Sequence, residues 1–294
     1  MLRKAVVPAA GLGTRLLTAT KEMPKEMLPI FISEKDGYVL KPILQIVFEQ
    51  LYDAGIREFF FVVGRGKRIV EDHFTPDWSY VNYLKTKNKH AQAEMLAAFY
   101  RKVEDSFIGW VNQPQPLGTG DAILRAEKFV GNNHFIVAAG DNLYIGENIP
   151  RKLIQLHEKM SGSWLTVKRV QDPTKYGVIS GQPLQDNIYI VKEIEEKPAK
   201  PKTNLANTSL YIFQPEIFDC IRETPPSPRG EIEITTSIQL LIQQKAKIYA
   251  YIVDTYWVDV GTPKTYLEAL IYSIKISADT PSLQNIITLL NHQK

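Results

Sequence analysis

Cysteine is nearly absent from this sequence, since Cys220 is the single example in 294 residues. One cysteine excludes an internal disulfide framework and is typical of proteins kept in a reducing compartment. Long apolar runs are also missing, because none reaches the ~18 residues of a membrane-spanning helix. The short apolar N-terminus runs into Arg15 rather than into a signal-peptide cleavage site. We therefore predict a cytoplasmic protein with no membrane partner.

A strong net charge of either sign is lacking too, because the 35 basic and 32 acidic residues give a net charge of only +3. No block of lysine and arginine dominates any segment, which argues against a nucleic-acid partner and favours a small one. The histidines show no metal-ligand spacing, so we predict neither a zinc site nor a histidine catalyst. They are His73, His90, His134, His157 and His292.

Apolar segments of strand length alternate with helical patterns in the first half of the chain. The predicted strands are Lys4–Pro8, Glu58–Gly64, Ile108–Asn112 and Phe135–Ala139. The predicted helices are Ile43–Ala54, Ile69–His73, Gln92–Glu104 and Asp121–Phe129. Because Val, Ile and Phe occupy both faces of these strands, the alternation predicts an α/β fold with a mixed, mostly parallel sheet flanked by helices.

The pattern changes after Trp164, where strand candidates follow one another closely between Pro, Gly, Asn and Asp residues. They are WLTVKRV, YGVIS, IYIVKEIEEKP and SLYIFQ. We expect them to form a small β extension and the far wall of a cleft. Helical patterns return at Glu216–Arg222, Ile232–Gln244 and Pro263–Ile276, with the strand IYAYIV between the last two. Residues 285–294 fit either a terminal helix or a frayed tail.

A glycine-rich turn, AAGLGTR, follows the first predicted strand. In an open α/β sheet, ligands bind beyond the carboxyl ends of the strands, where glycines such as Gly11 and Gly13 let backbone amides approach phosphate oxygens. The turn is not a P-loop, since no Gly-Lys-Ser/Thr follows, and Leu16 occupies the third glycine position of a dinucleotide fingerprint. The two glycines alone would fit a simple chain reversal equally well.

The residues after the glycines add phosphate-binding chemistry to this loop. Thr14 supplies a hydroxyl, Arg15 a bidentate fork and Lys25 a point charge. Pro24 and Pro29 stiffen the segment around Lys25, which argues against a freely solvated side chain. The loop therefore predicts a polyphosphate site.

The stretch VVPAAGLGTRLLTATKEMPKEMLPI, residues 6–30, closely resembles the signature of the sugar-nucleotide pyrophosphorylase family. The resemblance continues in order through VGRGKRIVEDHF, QPQPLGTGDAI, AAGDNL, KYGVI, EEKP, GEIEIT and VDVGTPKTYLEA. The KEMLP and GRGKR segments are more similar to the bacterial-type UTP–glucose-1-phosphate uridylyltransferases than to the thymidylyl branch. The resemblance implies a Rossmann-like, GT-A-like nucleotidyltransferase fold.

The resemblance also implies that UTP and glucose 1-phosphate are converted to UDP-glucose and pyrophosphate. The sugar phosphate is itself the nucleophile, so catalysis consists of positioning two anions and neutralising their charge. Arg15 would grip the triphosphate, and Lys25 would hold the phosphates around the reacting phosphorus. Asp141 and Asp259, each at the end of a predicted strand, would hold the Mg²⁺ cofactor.

By the same resemblance, one domain has a nucleotide-binding half (residues 1–145), a sugar-binding half (146–262) and C-terminal helices (263–294). The Gln113 amide is expected to read uracil, because it offers both a donor and an acceptor. The implied nucleotide contacts are Ala9, Ala10, Gly11, Gly13, Thr14, Gln113 and Gly118. The implied sugar-phosphate contacts are Gly177, Glu196 and Lys197. Relatives are often dimers or tetramers, so we expect a homo-oligomer.

Several positions depart from the family pattern. Ser209 stands where a glycine is usual in the sugar-binding strand, and Thr236 stands where an acid is usual. Galactose or an N-acetylated sugar therefore remains an alternative to glucose. Residues 32–40 look like an insertion of unknown effect.

Two other functions stay open. Discrimination between UTP and dTTP depends on one methyl group, worth only about 1 to 3 kcal/mol, so a thymidylyltransferase is a second interpretation. The other alternative is a non-catalytic sugar-nucleotide sensor with the same fold. Against the sensor stands the presence of all the charged residues that the reaction needs, namely Arg15, Lys25, Asp141 and Asp259.

Overall fold

The computed structural model describes residues 2–34 and 37–276. Its strands are β1 (Lys4–Ala9), β2 (Pro29–Glu34), β3 (Gly37–Pro42), β4 (Glu58–Gly64), β5 (Phe107–Gln113), β6 (Phe135–Ala138), β7 (Asn142–Ile145), β8 (Ser163–Arg169), β9 (Gly177–Gln185), β10 (Ile188–Glu196), β11 (Leu205–Phe213), β12 (Ile248–Ile252) and β13 (Tyr256–Asp259). Its helices are α1 (Ile43–Asp53), α2 (Arg68–His73), α3 (Trp78–Thr86), α4 (His90–Glu104), α5 (Gly118–Leu124), α6 (Glu127–Val130), α7 (Ile149–Lys159), α8 (Ile217–Glu223), α9 (Ile234–Gln243) and α10 (Pro263–Ile276).

Four parallel strands, in the order β5-β4-β1-β6, form one half of the main sheet. Val6 of β1 lies between Phe60 of β4 and Val137 of β6. Apolar residues on both faces of β1, β4 and β6 are buried, as a parallel sheet covered by helices requires, whereas the edge strand β5 is more exposed. Because the strands are parallel, their carboxyl ends meet at one edge, which we call the carboxyl edge.

The same sheet continues beyond β6 in the order β11-β8-β12-β10-β9. Strand β11 is antiparallel to β6 and β8, and β10 is antiparallel to β12 and β9. The remaining strands of the sheet run in the same direction as β1, so it is mixed but mostly parallel. The predicted α/β class is confirmed, and the expected β extension is part of one continuous sheet.

Two apolar clusters cover the opposite faces of this sheet. On one face, Phe48 of α1 packs against Phe59 of β4, with 4.6 Å between their ring centroids. On the other face, Phe135 of β6 stacks on Phe218 of α8 at 5.2 Å. Each fully buried aromatic of this kind contributes about 1.5 to 3 kcal/mol. The carboxyl edge is therefore carried by a well-packed scaffold.

Two short antiparallel pairs lie outside the main sheet. Strands β7 and β13 pair so that Asn142 lies opposite Asp259. Strands β2 and β3 pair over the segment interpreted as an insertion, of which Lys35 and Asp36 lie outside the described residues. The Tyr266 hydroxyl of α10 donates to the carbonyl oxygen of Pro29 at 2.9 Å, which fastens this hairpin to the C-terminal helix.

Some helices differ from the sequence prediction. The single helix predicted for residues 121–129 is divided into α5 and α6, and neither α3 nor α7 was predicted. Both missed helices have capped starts, because Asp77 accepts from the Tyr80 N–H and Asn148 from the Arg151 N–H, each at 2.9 Å. Residues 285–294 lie outside the described part of the chain. Within that part, no helix is long and apolar enough to cross a bilayer.

Candidate active site

The chain leaves β1 through the glycine turn, residues 10–16, at the carboxyl edge. Gly13 has a φ of +65°, a left-handed conformation that glycine adopts without strain. The Thr20 hydroxyl donates to the Gly13 carbonyl oxygen at 2.8 Å and fastens the turn. Thr14 and Arg15 then begin a short 3-10 turn and are exposed. The predicted phosphate-binding groups are therefore accessible to a ligand.

Gly11 lies above the side chain of Lys25. A Cβ on Gly11 would make only ordinary contact with it, 3.7 Å from Lys25 Cε. Packing within the protein does not require a glycine at this position. Because Gly11 is exposed, a ligand can approach this side of the turn.

Lys25 and Asp141 meet beneath this turn. Lys25 follows Pro24 in a second 3-10 turn, and its Nζ contacts Oδ2 of Asp141. The side chains are 13% and 16% exposed. Asn142 donates from Nδ2 to the other oxygen, Oδ1, at 3.0 Å, so the Asp141 carboxylate is held from both sides. The contact exists because β6, which precedes Asp141, lies next to β1 in the sheet.

Asp259 reaches the same place from β13. The N–H of the next residue, Val260, donates to the Asp141 carbonyl oxygen at 3.0 Å. A Cβ on Gly261 would lie 2.6 Å from Arg15 Nη2 and 3.2 Å from Asp259 Oδ1. The Arg15 guanidinium and the Asp259 carboxylate therefore both lie against the Gly261 backbone. We call Arg15, Lys25, Asp141 and Asp259 the charged cluster.

The charged cluster contains two carboxylates whose pKa values move apart. Burial and the charge of Asp141 raise the pKa of Asp259 to about 6, although Lys25 and Arg15 act in the opposite direction. Burial alone would raise the pKa of Asp141, but contact with Lys25 outweighs burial and lowers it. Burial would likewise lower the pKa of Lys25, yet the carboxylates of Asp141 and Glu26 outweigh it and raise that pKa.

The donor set of the cluster fits a magnesium ion. Two neighbouring buried carboxylates repel each other, and a divalent cation relieves that repulsion. Across residues 2–34 and 37–276, no group of three or more His, Cys, Asp or Glu side chains could hold a metal unaided. Mg²⁺ usually takes only one or two protein carboxylates and completes its shell with phosphate oxygens and water.

Gln113 lies at the end of β5 and is 5% exposed. Its Nε2 donates to the Gly118 carbonyl oxygen at 3.0 Å and to Asp121 Oδ2 at 2.7 Å. Because both amide hydrogens are used, the amide oxygen is the group left to accept from a ligand. This narrows the predicted role of Gln113 to that of an acceptor.

Ala9 and Ala10, at the end of β1, are neighbours of this amide along the carboxyl edge. Gln113 pairs with Gly64 across the sheet, and a Cβ on Gly64 would lie 2.9 Å from the Ala10 carbonyl oxygen. Both alanines are buried. The residues predicted to read the base therefore form one continuous strip beside the glycine turn.

Gly177 and Glu196 pair across β9 and β10. Lys197 Nζ lies 3.1 Å from Glu196 Oε1, and the Thr235 hydroxyl donates to Glu196 Oε2 at 3.0 Å. A Cβ on Gly177 would lie 2.6 Å from Thr235 Cγ2 and 3.3 Å from Glu196 Oε2. We call Gly177, Glu196, Lys197 and Thr235 the Glu196 group.

Aromatic contacts join the Glu196 group to the charged cluster. The Lys197 N–H donates to the Tyr176 carbonyl oxygen at 3.0 Å, and the Tyr176 ring meets the Trp257 ring with 5.4 Å between centroids. Trp257 lies two residues before Asp259 on β13. The charge of Lys197 also acts on Asp259, where it opposes the rise in pKa.

A second connection joins the Glu196 group to the Gln113 loop. The Ile232 N–H donates to the Leu117 carbonyl oxygen at 2.7 Å, and the Gly120 N–H donates to the Ile232 carbonyl oxygen at 2.8 Å. Gly118, with a φ of +95°, has no room for a Cβ beside Ile232. Three residues after Ile232, the Thr235 hydroxyl donates to Glu196, so this segment links the Gln113 loop to the Glu196 group.

Sequence reasoning missed several residues that complete this site. They are Thr20, Glu26, Lys67, Asn142, Thr235 and Trp257. All but Trp257 lie within the motif blocks that carry the family resemblance, and Trp257 directly precedes one of them. The motif segments therefore contained or adjoined these positions. The roles of their side chains could not be predicted, because they depend on contacts between segments that are distant in the sequence.

Ser209, one of the departures from the family pattern, has a φ of +56° in an irregular part of β11. A non-glycine residue is strained in this conformation, so the backbone here would suit the usual glycine. The Asn207 amide donates to the Tyr211 hydroxyl, and its oxygen accepts from the Ser209 N–H at 3.1 Å. An effect of Ser209 on the sugar pocket stays a prediction.

Comparison with known proteins shows what the whole chain is similar to. Residues 4–274 match the family model described as nucleotidyl transferase. A Methanocaldococcus jannaschii protein, provisionally named UTP–glucose-1-phosphate uridylyltransferase, is 38% identical over 283 residues, 95% of this chain and 94% of its own. The UTP–glucose-1-phosphate uridylyltransferase of Pseudomonas aeruginosa is 34% identical over 277 residues, 92% of this chain and 95% of its own. A UDP-glucose pyrophosphorylase solved with UDP-glucose has a TM-score of 0.81 at 34% identity, covering 94% of this chain and 99% of its own.

Proposed function

Because the chain belongs to the nucleotidyl transferase family, we propose that it joins UTP to glucose 1-phosphate and forms UDP-glucose and pyrophosphate. The family resemblance inferred from the motifs is confirmed. One observation carries the proposal for this chain: the charged cluster lies directly beside an open glycine turn at the carboxyl edge. That arrangement offers fixed cations and a metal-binding carboxylate pair to a triphosphate.

The reaction needs no nucleophile from the protein. A phosphate oxygen of glucose 1-phosphate attacks the α-phosphorus of UTP in line, one P–O bond forms, and the bond to the bridging oxygen breaks so that pyrophosphate leaves. Repulsion between the two anions dominates the barrier, so fixed positive charges are the effective catalysts. Arg15, exposed on the turn, would grip the triphosphate. Lys25, beneath Gly11, would hold the phosphates around the reacting phosphorus.

Enzymes of this family generally use a divalent metal, and we propose that Mg²⁺ fills that role here on Asp141 and Asp259. When bound, the ion would neutralise charge that develops on the phosphate oxygens. Asn142 would orient Asp141, since it donates to Oδ1 at 3.0 Å. Trp257 fixes Asn142 in turn, because its Nε1 donates to Asn142 Oδ1 at 2.8 Å.

The strip at Ala9, Ala10 and Gly118 would receive the uracil, with the Gln113 amide oxygen accepting from the N–H of the base. The remaining nucleotide contacts would come from the turn, where Gly11 and Gly13 offer backbone N–H groups and Thr14 offers its hydroxyl.

In the Glu196 group, Glu196 would accept from sugar hydroxyls, Lys197 would pair with the sugar phosphate, and Gly177 would leave room for the ring. Residues 1–145 would thus form the nucleotide half, residues 146–262 the sugar half and residues 263–294 a C-terminal addition.

A nucleotide panel tests the proposal. Purified protein is mixed with Mg²⁺, glucose 1-phosphate and each of UTP, dTTP, CTP, ATP and GTP, and released pyrophosphate is measured. We expect UTP to give the highest rate. A rate with dTTP far above that with UTP would identify a thymidylyltransferase, and silence with every nucleotide would favour the non-catalytic sensor.

A second panel tests the sugar. UTP is offered with glucose, galactose and N-acetylglucosamine 1-phosphates, and glucose 1-phosphate should give the highest kcat/KM. Light scattering on the same preparation tests the homo-oligomer that we propose, and a monomer at all concentrations would contradict it.

A further inference from the structure

A second buried ion pair lies directly behind the glycine turn. Lys67 Nζ lies 2.9 Å from Glu26 Oε2 and also donates to the Ala9 carbonyl oxygen at 2.5 Å. The Lys67 and Glu26 side chains are only 9% and 2% exposed. They come from the GRGKR and KEMLP motifs, so one contact joins two separate segments of the chain.

The pair touches both functional parts of the nucleotide site. Through Lys67 it holds Ala9, the last residue of β1, from which the glycine turn departs. Through Glu26 it holds the backbone next to Lys25, whose Nζ contacts Asp141. A displacement of the pair would therefore move the strip proposed to receive the base and also the proposed catalytic cation.

Stability alone does not account for two charges at this depth. Burial of both groups costs desolvation free energy that their attraction offsets only in part, and a neutral pair of similar volume is often as stable. An apolar side chain in place of Lys67 could not donate to the Ala9 carbonyl oxygen, however. The ammonium group has three donors, and here it binds acceptors from two different segments at once.

We propose that Glu26 and Lys67 are positioning residues for the nucleotidyl transfer, which fix the distance between the base-facing end of β1 and Lys25. The inference rests on the function proposed above. Neither side chain touches the reacting atoms, because each acts through its contact with Ala9 or through the backbone of Lys25. The pair sets the geometry in which the base and the reacting phosphates are held together.

The double variant Glu26→Gln/Lys67→Met removes both charges and keeps the side-chain volumes. It should fold, although its melting temperature should fall by a few degrees because the buried Ala9 carbonyl oxygen loses its donor. We expect kcat with UTP to fall by about 10- to 100-fold, because small misplacements of catalytic groups have effects of this order. The ratio of kcat/KM for UTP to that for dTTP should fall as well. Uracil and thymine differ by one methyl group, and their discrimination requires that the residues around the base keep a fixed position.

The chain offers a matched control in Lys41 and Glu49, an ion pair of β3 and α1 outside the proposed site. Lys41 Nζ lies 2.8 Å from Glu49 Oε2, and the side chains are 12% and 16% exposed. The variant Glu49→Gln/Lys41→Met should keep kcat and the nucleotide ratio within about twofold of the wild type, as distant sites act independently.

Lys67→Arg is the second test, and it remains informative if the double variant fails to fold. Arginine keeps the positive charge opposite Glu26 but presents its donors in a different geometry. This variant should fold and still show a lower kcat and a lower UTP-to-dTTP ratio. A purely structural pair would change the melting temperature and leave both kinetic quantities unchanged.

Calorimetric titration with UMP gives a readout without turnover. The Kd of UMP should rise in the double variant and stay unchanged in the Lys41 and Glu49 control. Folded variants with wild-type kcat, nucleotide ratio and UMP affinity would overturn the positioning role. A wild-type protein that is silent with every nucleotide would overturn the proposed function instead, and the UMP affinities would then decide the positioning role alone.

Discussion

The charged cluster and the Glu196 group are proposed to hold opposite ends of the reaction, and they are built differently. In the charged cluster, the Lys25 and Asp141 side chains are 13% and 16% exposed. In the Glu196 group, Glu196 and Lys197 are 24% and 42% exposed. The Lys25–Asp141 pair is enclosed by the protein, whereas the Glu196–Lys197 pair is more open to solvent.

The two groups also differ in how well their charges are balanced. Asp259 lies near a second buried carboxylate, and burial together with the charge of Asp141 raises the pKa of Asp259 to about 6. Glu196 already has a cation and a hydroxyl as partners. We expect the charged cluster, whose carboxylates are not fully balanced, to act on the transition state. We expect the Glu196 group, whose charges are balanced, to act on ground-state binding. Changes in the charged cluster should therefore act on kcat, and changes in the Glu196 group on KM.

The largest effect is expected for Lys25→Met. The change removes a fixed cation from the proposed phosphate site, so kcat should fall by about 100-fold or more, as for other transition-state donors. Steady-state kinetics with UTP and glucose 1-phosphate measure it. Lys21→Met, which removes an exposed lysine of the same loop, serves as the control and should behave as the wild type. An effect of Lys25→Met confined to the KM of glucose 1-phosphate would abolish the contrast between the two groups.

Asp259→Asn should have the next largest effect. The Mg²⁺ concentration that gives half-maximal rate should rise by roughly 10- to 100-fold, since changes around a metal commonly have effects of that order. The melting temperature should equal or exceed that of the wild type, because the variant removes the repulsion with Asp141. Asp254→Asn is the control, as Asp254 is exposed and bonds to Asn187 instead. An unchanged metal requirement would remove Asp259 from the proposed metal site.

Several regular elements of the fold could be predicted from local patterns alone. Both β4 and α10 have the predicted bounds, because buried strands and apolar helices leave strong periodic signals. Helix α3 was missed because it buries only Val81 and Leu84 and so has weak apolar periodicity. Its signal lay in the capping residue Asp77, and that of α7 lay in Asn148 followed by Pro150.

The site could be predicted as a set of residues but not as a set of contacts. The motifs contain Lys25 and Asp141, yet no local pattern shows that side chains 116 positions apart touch. That contact depends on β6 lying beside β1, which is a property of the sheet order. The contacts of Gln113 are closer along the chain, where Gly118 and Asp121, five and eight residues away, take its two amide hydrogens and leave its oxygen to accept.

Thr235→Val tests the Glu196 group with a smaller change. The variant keeps the shape of the side chain but removes the hydroxyl that donates to Glu196 Oε2. A hydrogen bond to a carboxylate is worth about 1.5 kcal/mol or more, so the KM for glucose 1-phosphate should rise by roughly tenfold while kcat stays near its wild-type value. Thr236→Val, at the neighbouring position that departs from the family pattern, is the matched control. A fall in kcat at constant KM would show instead that Thr235 acts on the same kinetic constant as the charged cluster.

The smallest effect is expected at Ser209, where strain and sugar selectivity can be separated. Ser209→Ala and Ser209→Gly both remove the hydroxyl, but only glycine relieves the left-handed backbone with its φ of +56°. The glycine variant should thus be more stable than the alanine variant by about 1 kcal/mol, a difference of roughly 2 to 4 °C in melting temperature. Both should keep the wild-type KM for glucose 1-phosphate if this strand only supports the Glu196 group. A change in preference among glucose, galactose and N-acetylglucosamine 1-phosphates would show instead that Ser209 lines the sugar pocket, and the open end of the site would then extend as far as β11.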